Sequence, residues 1–198
     1  MTTFSKTLTL VILLVFTFSC NKGKETGRFY LTEEMKSQLP YKSHESISFV
    51  NSNDEIFTFS GGSRIIQDIE IKECISCYDY YVYEEELINF NNGSDQIRIS
   101  IRASESNYLK LRFGIDGHVF FSEISSPLSP ENISGHEYFL DSISVNNIVY
   151  YEVYKDSIRS EKTITINQYP IYSYYSTEYG VLKIDFSDNT CWEYVKIN

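Results

Sequence analysis

Two stretches near the middle of the chain alternate strictly. Ile97, Ile99 and Ile101 are separated by Arg98, Ser100 and Arg102, and Leu109, Leu111 and Phe113 by Lys110 and Arg112. Side chains of an extended chain point to opposite faces in turn, so a period of two collects the apolar residues on one face and the polar ones on the other. Strands with one dry and one wet face belong to antiparallel sheets, whereas strands of a parallel sheet are buried on both sides. Strand signals recur at Ile47 with Phe49, at Ile56 to Phe59, at Ile148 to Tyr154, at Ile171 to Ser176, at Val181 to Phe186 and at Thr190 to Lys196. Gly61-Gly62 is read as a turn between two strands, Thr177-Glu178-Tyr179-Gly180 joins another pair, and Asp188-Asn189 supplies left-handed conformers for the last hairpin.

The one helical segment is short. In Leu31 to Gln38, Thr32 is placed to cap, Glu33 and Glu34 fall in the first turn where the helix dipole favours acids, and Pro40 stops the run. The stretch with Pro127 and Pro130 reads as the longest loop. About ten strands joined mostly by short turns predict an all-β fold, an antiparallel meander forming a barrel, half-barrel or sandwich, with one short N-terminal helix. Composition agrees: 17 Tyr and 13 Phe stand against 4 Pro, and aromatic and β-branched residues suit pleated surfaces. With 17 basic and 27 acidic residues the net charge is -10, and no Lys/Arg cluster is present to neutralise phosphates, so no nucleic-acid partner is expected.

The start of the chain follows a different plan. Lys6 is the only charge before an apolar run from Leu8 to Phe18, which ends at Ser19-Cys20. That run is about eleven residues, against the roughly twenty that a membrane-spanning helix needs, and its layout is that of a secretory signal peptide. Thr17-Phe18-Ser19-Cys20 resembles the lipobox of bacterial lipoproteins, in the relaxed form of Bacteroidota, with Thr17 and Phe18 where Leu and a small residue are commonest. The resemblance implies cleavage after residue 19 and lipid on Cys20, an outer-membrane anchor. Asn21 replaces the Asp that retains some lipoproteins at the inner membrane, and no acidic cluster follows the cysteine, which favours the periplasmic face. The expected organisation is a signal peptide at 1–19, a tether at 20–28 and a single all-β domain at 29–198. Two further segments resemble recurrent stretches of small Bacteroidota lipoproteins of unassigned activity. One is Leu31-Thr32-Glu33-Glu34 with Leu39-Pro40-Tyr41 and Ile47-Ser48-Phe49; the other is Ile171 to Tyr175 with Tyr179 to Ile184 and Trp192.

Candidate chemistry is sparse. With Cys20 committed to lipid, Cys74, Cys77 and Cys191 remain, and an oxidising compartment predicts one disulfide among them and one leftover thiol. Cys74-Ile75-Ser76-Cys77 has the spacing of a redox pair, yet its flanks read as strand rather than as the helix N-terminus that lowers a thiol's pKa. His44, His118 and His136 stand in no zinc-ligand spacing, and Ser63 lacks the strand, elbow and helix of a nucleophile loop. Glu84-Glu85-Glu86 reads as a solvated strand. No metal, cofactor or catalytic set is implied, and the chain is not read as an enzyme. The tyrosines are the candidate binding residues: Tyr78, Tyr80, Tyr81 and Tyr83, and Tyr172, Tyr174 and Tyr175, since alternation must leave some off the core, where a ring with a hydroxyl grips ligands at low entropic cost. The expected function is a noncatalytic envelope lipoprotein that binds a ligand or protein partner, with a half-barrel carrier of lipid or apolar cargo as the alternative. Trp192 is expected inside the sheet, on the face of Leu182, Ile184 and Phe186.

Overall fold

The computed structural model describes residues 23–72, 74, 78–103, 108–125, 137–160 and 163–196. The chain divides into two units, one holding Met1–Arg28 with Glu70–Val82 and the other Phe29–Ile69 with Tyr83–Asn198. The strands are β1 (Glu25–Phe29), β2 (Ser46–Asn51), β3 (Ile56–Gly61), β4 (Ile65–Lys72), β5 (Tyr80–Asn92), β6 (Asp95–Arg102) and β7 (Tyr108–Ile115). They continue as β8 (His118–Ser125), β9 (Glu137–Val145), β10 (Ile148–Ser157), β11 (Arg159–Ser160), β12 (Pro170–Ser176), β13 (Gly180–Phe186) and β14 (Cys191–Val195). The end of the expected tether is therefore a strand, β1. In the smaller unit the Tyr80 N–H donates to the Lys24 carbonyl at 3.1 Å.

The helix, α1 (Glu33–Lys36), is a single turn, shorter than the two turns expected. Thr32 caps it as predicted, its hydroxyl accepting from the Met35 N–H at 3.2 Å. The helix stops ahead of Pro40, which has no N–H to give the Lys36 carbonyl and disfavours a helical Leu39; the Arg64 guanidinium then takes the carbonyls of Lys36 (3.3 Å), Leu39 (3.3 Å) and Tyr41 (3.2 Å).

The sheet is antiparallel, in the order β11-β8-β7-β6-β5-β3-β2-β14-β13-β12-β10-β9, a meander interrupted where β14 enters between β2 and β13. The path has two ends and is not a closed barrel. The alternation at its centre is realised: Ile97 lies opposite Phe113, Ile99 opposite Leu111 and Ile101 opposite Leu109, all with at most 1% of their surface exposed. Ile47, Phe49, Tyr175, Val181 and Ile184 from the other half of the path share that core, so the sheet of the larger unit curls around it.

Gly61-Gly62 stands between two strands as expected, β3 and β4, but β3 pairs with β2 and β5, and the Gly62 N–H donates to the Asn89 carbonyl at 2.8 Å. Glycine is required at position 61 by close approach, since a Cβ there would overlap the Glu45 carbonyl oxygen. In β13, Tyr174 pairs with Lys183 but Tyr175 pairs with Val181, so Leu182 is an extra residue and forms a bulge. Leu182 therefore leaves the face of Ile184 and Phe186 and packs with Val145, Tyr150, Val153 and Tyr174 in a second, smaller cluster.

Candidate functional site

The predicted tyrosines separate by burial. Tyr175 has no exposed surface and donates its hydroxyl to the Gln38 carbonyl at 2.7 Å, so it is a core residue and not a binding one. Tyr174 is 8% exposed, with its hydroxyl donating to Asp185 Oδ2 at 2.8 Å. Tyr172 is half-buried, and its ring lies 4.0 Å from the Lys155 ammonium. Tyr83, also half-buried, stacks on Phe29 at 4.9 Å and 6°. In the smaller unit Tyr78 is 64% exposed, and Tyr80 and Tyr81 are half-buried. Cys20 and Cys77 lie outside the described residues, as do His136, Pro127 and Pro130; Cys74 is exposed just past β4. Cys191 is a free thiol, which removes it from the disulfide candidates and leaves it as the leftover thiol.

Register gathers Tyr172 and Tyr174 with residues that the sequence did not single out. Residues directly opposite one another in a ladder share a face. Lys155 lies opposite Tyr174, Tyr174 opposite Lys183 and Lys183 opposite Glu193, which makes one row across β10, β12, β13 and β14. The next row holds Tyr172, Asp185 and Cys191. Lys183 Nζ sits 3.3 Å from Asp185 Oδ1 and 3.5 Å from Glu193 Oε1, and Cys191 Sγ is 3.9 Å from Glu193 Oε1. Lys155 Nζ is also 5.2 Å from the centre of the Tyr174 ring.

The β9–β10 hairpin folds over one end of this face. Strands are spaced about 4.8 Å apart, so β10, three positions from β14, would lie roughly 14 Å away in a flat sheet. Yet the Asn146 N–H at the hairpin turn donates to Glu193 Oε2 at 2.9 Å. Asn146 and Asn147 adopt φ of 47° and 64°, the left-handed pair of a two-residue hairpin turn. The smaller apolar cluster of Val145, Tyr150, Val153, Tyr174 and Leu182 lies beneath the folded hairpin.

These contacts decide what the face can do. Burial, then the hydrogen bond and charge of Asp185, hold the Tyr174 hydroxyl well above its ordinary pKa, so it stays a donor. Burial pulls the Lys183 ammonium down, but the Asp185, Cys191 and Glu193 contributions outweigh it and the pKa is raised, so Lys183 stays charged. Groups fixed in their ordinary protonation states suit hydrogen-bonded and stacked recognition rather than proton transfer. Among the described residues, no group of three or more His, Cys, Asp and Glu side chains is placed to hold a metal ion.

Glu84-Glu85-Glu86 is not a solvated strand. Glu86 lies opposite Ile101 on the core face and is 6% exposed, held by two bonds from Arg64, Nε to Oε1 at 2.8 Å and Nη2 to Oε2 at 2.7 Å. Glu85, also 6% exposed, faces the other way, where it takes Gln67 at 2.9 Å and Arg102 at 3.3 Å. Glu84 accepts the Leu31 N–H at 2.9 Å. Alternation was read correctly; burial was missed because the partners Arg64, Gln67 and Leu31 sit far off in sequence. His44 meets Ser63 at 3.3 Å between an exposed turn and loop, and His118, half-buried at the start of β8 rather than in a solvated turn, meets Thr165 at 3.2 Å. No protein-family model matches the chain, and comparison with curated proteins and with solved structures yields no match.

Proposed function

We propose that this protein is a noncatalytic lipoprotein of the outer membrane, anchored through lipid on Cys20, whose β domain binds a ligand on the face built from Lys155, Tyr172, Tyr174, Lys183, Asp185 and Glu193. The observation that carries the binding half is Lys155, laid over the Tyr172 and Tyr174 rings at 4.0 and 5.2 Å on the side of the sheet away from the main core. Aromatic faces, an ammonium and paired carboxylates side by side supply both contact area and directional bonds. Sugars and peptides use both. The carrier alternative needs an unfilled apolar hollow; Ile97, Ile99, Leu109, Leu111 and Phe113, each with no exposed surface, fill the curl of the sheet, which favours recognition over carriage.

The anchoring half rests on the apolar run before Ser19-Cys20 and on the family resemblance there. Two measurements test the reading. Cys20→Ser should abolish incorporation of labelled fatty acid and release the protein from membranes; a variant that still takes up label would end the lipoprotein reading. Titrating the wild-type domain with a panel of neutral and acidic oligosaccharides and short peptides, followed by NMR of the tyrosine rings, should shift Tyr172 and Tyr174 with at least one class. Tyr172→Ala should weaken that binding about tenfold or more, the loss of roughly 1.4 kcal/mol or more. A panel that moves neither ring would overturn the assignment of the face.

A further inference from the structure

Three side chains with no exposed surface, Ser122 of β8, Asp156 of β10 and Ser173 of β12, meet in the interior of the larger unit. Ser122 Oγ donates to Asp156 Oδ2 at 2.7 Å, and Ser173 Oγ donates to Ser122 Oγ at 3.0 Å. Asp156 Oδ2 also accepts the Glu123 N–H at 3.0 Å, while Oδ1 is buried with no partner. A buried polar atom without a partner is costly, and a buried ionised carboxylate more so.

The place of this trio in the sheet gives it a role. β8 and β12 are far apart along the pairing path, with seven strands between them. They come together only because the chain that leaves β10 crosses Ile158 and at once pairs with β8, through Arg159 opposite Phe121 and Ser160 opposite Phe120. That ladder is two residues long. The next groups along β8 are Ser122 and the Glu123 N–H, and both are taken by the Asp156 carboxyl. A side chain thus completes a seam that backbone pairing leaves short.

We infer that Asp156 is a proton-operated clasp: with its carboxyl neutral, the trio holds β8 against β10 and β12, and when the proton is released to solvent the seam loosens. A neutral carboxyl can keep Oδ2 as acceptor for Ser122 and Glu123 while removing the charge that the unpartnered Oδ1 would otherwise bury. Three neighbouring strands carry charged residues near it in sequence or register. Arg159 follows on β11, Glu123 on β8 pairs with Lys110 at 3.0 Å, and Glu137 occupies the register position opposite Asp156 on β9. Burial raises the carboxyl's pKa, opposed by the Ser122 and Glu123 bonds, by Arg159 and by the Ser157 backbone N–H. A raised folded value means that the contribution to stability is complete below the unfolded pKa of about 3.9 and is lost as pH rises through the folded value.

Two readouts on the full wild-type chain decide this. The side-chain carboxyl carbon of Asp156, followed by NMR, should titrate above the ordinary carboxylate range. Exchange protection of the Glu123 amide, corrected for intrinsic rates, should fall as the pH is raised from below about 3.9, the unfolded pKa, to about 8. Asp156→Asn, neutral throughout, should show no such fall. An Asp156 carbon that titrates in the ordinary range, or wild-type Glu123 protection that does not change with pH, overturns the clasp. Both wild-type measurements stand even if the Asn variant fails to fold.

Discussion

Trp192 brings its ring to within 4.8 Å of Phe57 and 4.9 Å of Phe186, with Phe59 at 5.9 Å and Phe49 at 6.3 Å. It lies opposite Ile184, on the face that alternation assigned to it, and is half-buried. Truncating a buried Trp costs about 3 to 5 kcal/mol, so Trp192→Ala should destabilise the protein by about 3 kcal/mol, the lower end because the ring is only half-buried. Chemical denaturation measures this; an unchanged midpoint would mean that the aromatic cluster contributes nothing. Trp192 was legible from alternation because the last hairpin carries no bulge between Ile184 and the turn. Leu182 was not, since one extra residue reverses every face beyond it and leaves no mark in the sequence. The tyrosine groups were legible as groups only. Neighbours in a strand face opposite ways, so Tyr174 and Tyr175 have different fates, and the sequence does not say which of them meets the core.

At the scale of elements, α1 and the loop after it are held by one side chain from outside. Arg64 uses Nε, Nη1 and Nη2 together, on the Glu86 carboxylate and on three carbonyls from Lys36 to Tyr41. A lysine keeps the charge but has three donors on one nitrogen and cannot span a carboxylate and separate carbonyls at once. Arg64→Lys should therefore cost about 2 kcal/mol, within the range for bonds to charged groups and below that for leaving Glu86 wholly unpaired. Hydrogen exchange at Lys36 to Tyr41 should speed up in the same variant. Equal stability and unchanged exchange there would show that α1 and its flanks dock by the apolar residues Leu31, Met35 and Leu39 alone. Thr32 and the two acids after it were readable as a helix start because capping is local. Pro40 was readable as its stop for the same reason; that Arg64, 28 residues away, takes the Lys36 carbonyl was not.

The candidate site belongs to the whole molecule. Its residues come from β10, β12, β13 and β14, and nothing in the spacing of Lys155, Tyr174, Lys183 and Glu193 announces that they form one row. Strand existence could be read locally where alternation is strict, whereas β8 and β9, in which runs such as Val119-Phe120-Phe121 and Tyr138-Phe139-Leu140 break the period of two, and the two-residue β11 were not singled out. The order of strands is a matter of long-range pairing, and the same applies to the place of β14. It is the last strand in sequence, yet it lies between β2 and β13 rather than at an edge, with Trp192 to Val195 paired to Asn51 to Ser48. Deleting Cys191 onward should leave a chain without a cooperative thermal transition; a truncated protein that melts like wild type would mean that β14 is dispensable.

That position governs when the structure can form. β2 finds β3 next along the chain, but its other edge waits for a partner some 140 residues later, and the cost of closing so long a loop is met before that pairing offsets it. A chain growing from its N-terminus therefore holds β2 and β13 with open edges until its final residues arrive. The same delay makes the finished fold a test of completeness: a chain cut short near its end is left with two open edges at the centre of its sheet, the feature by which extended chains find one another and aggregate.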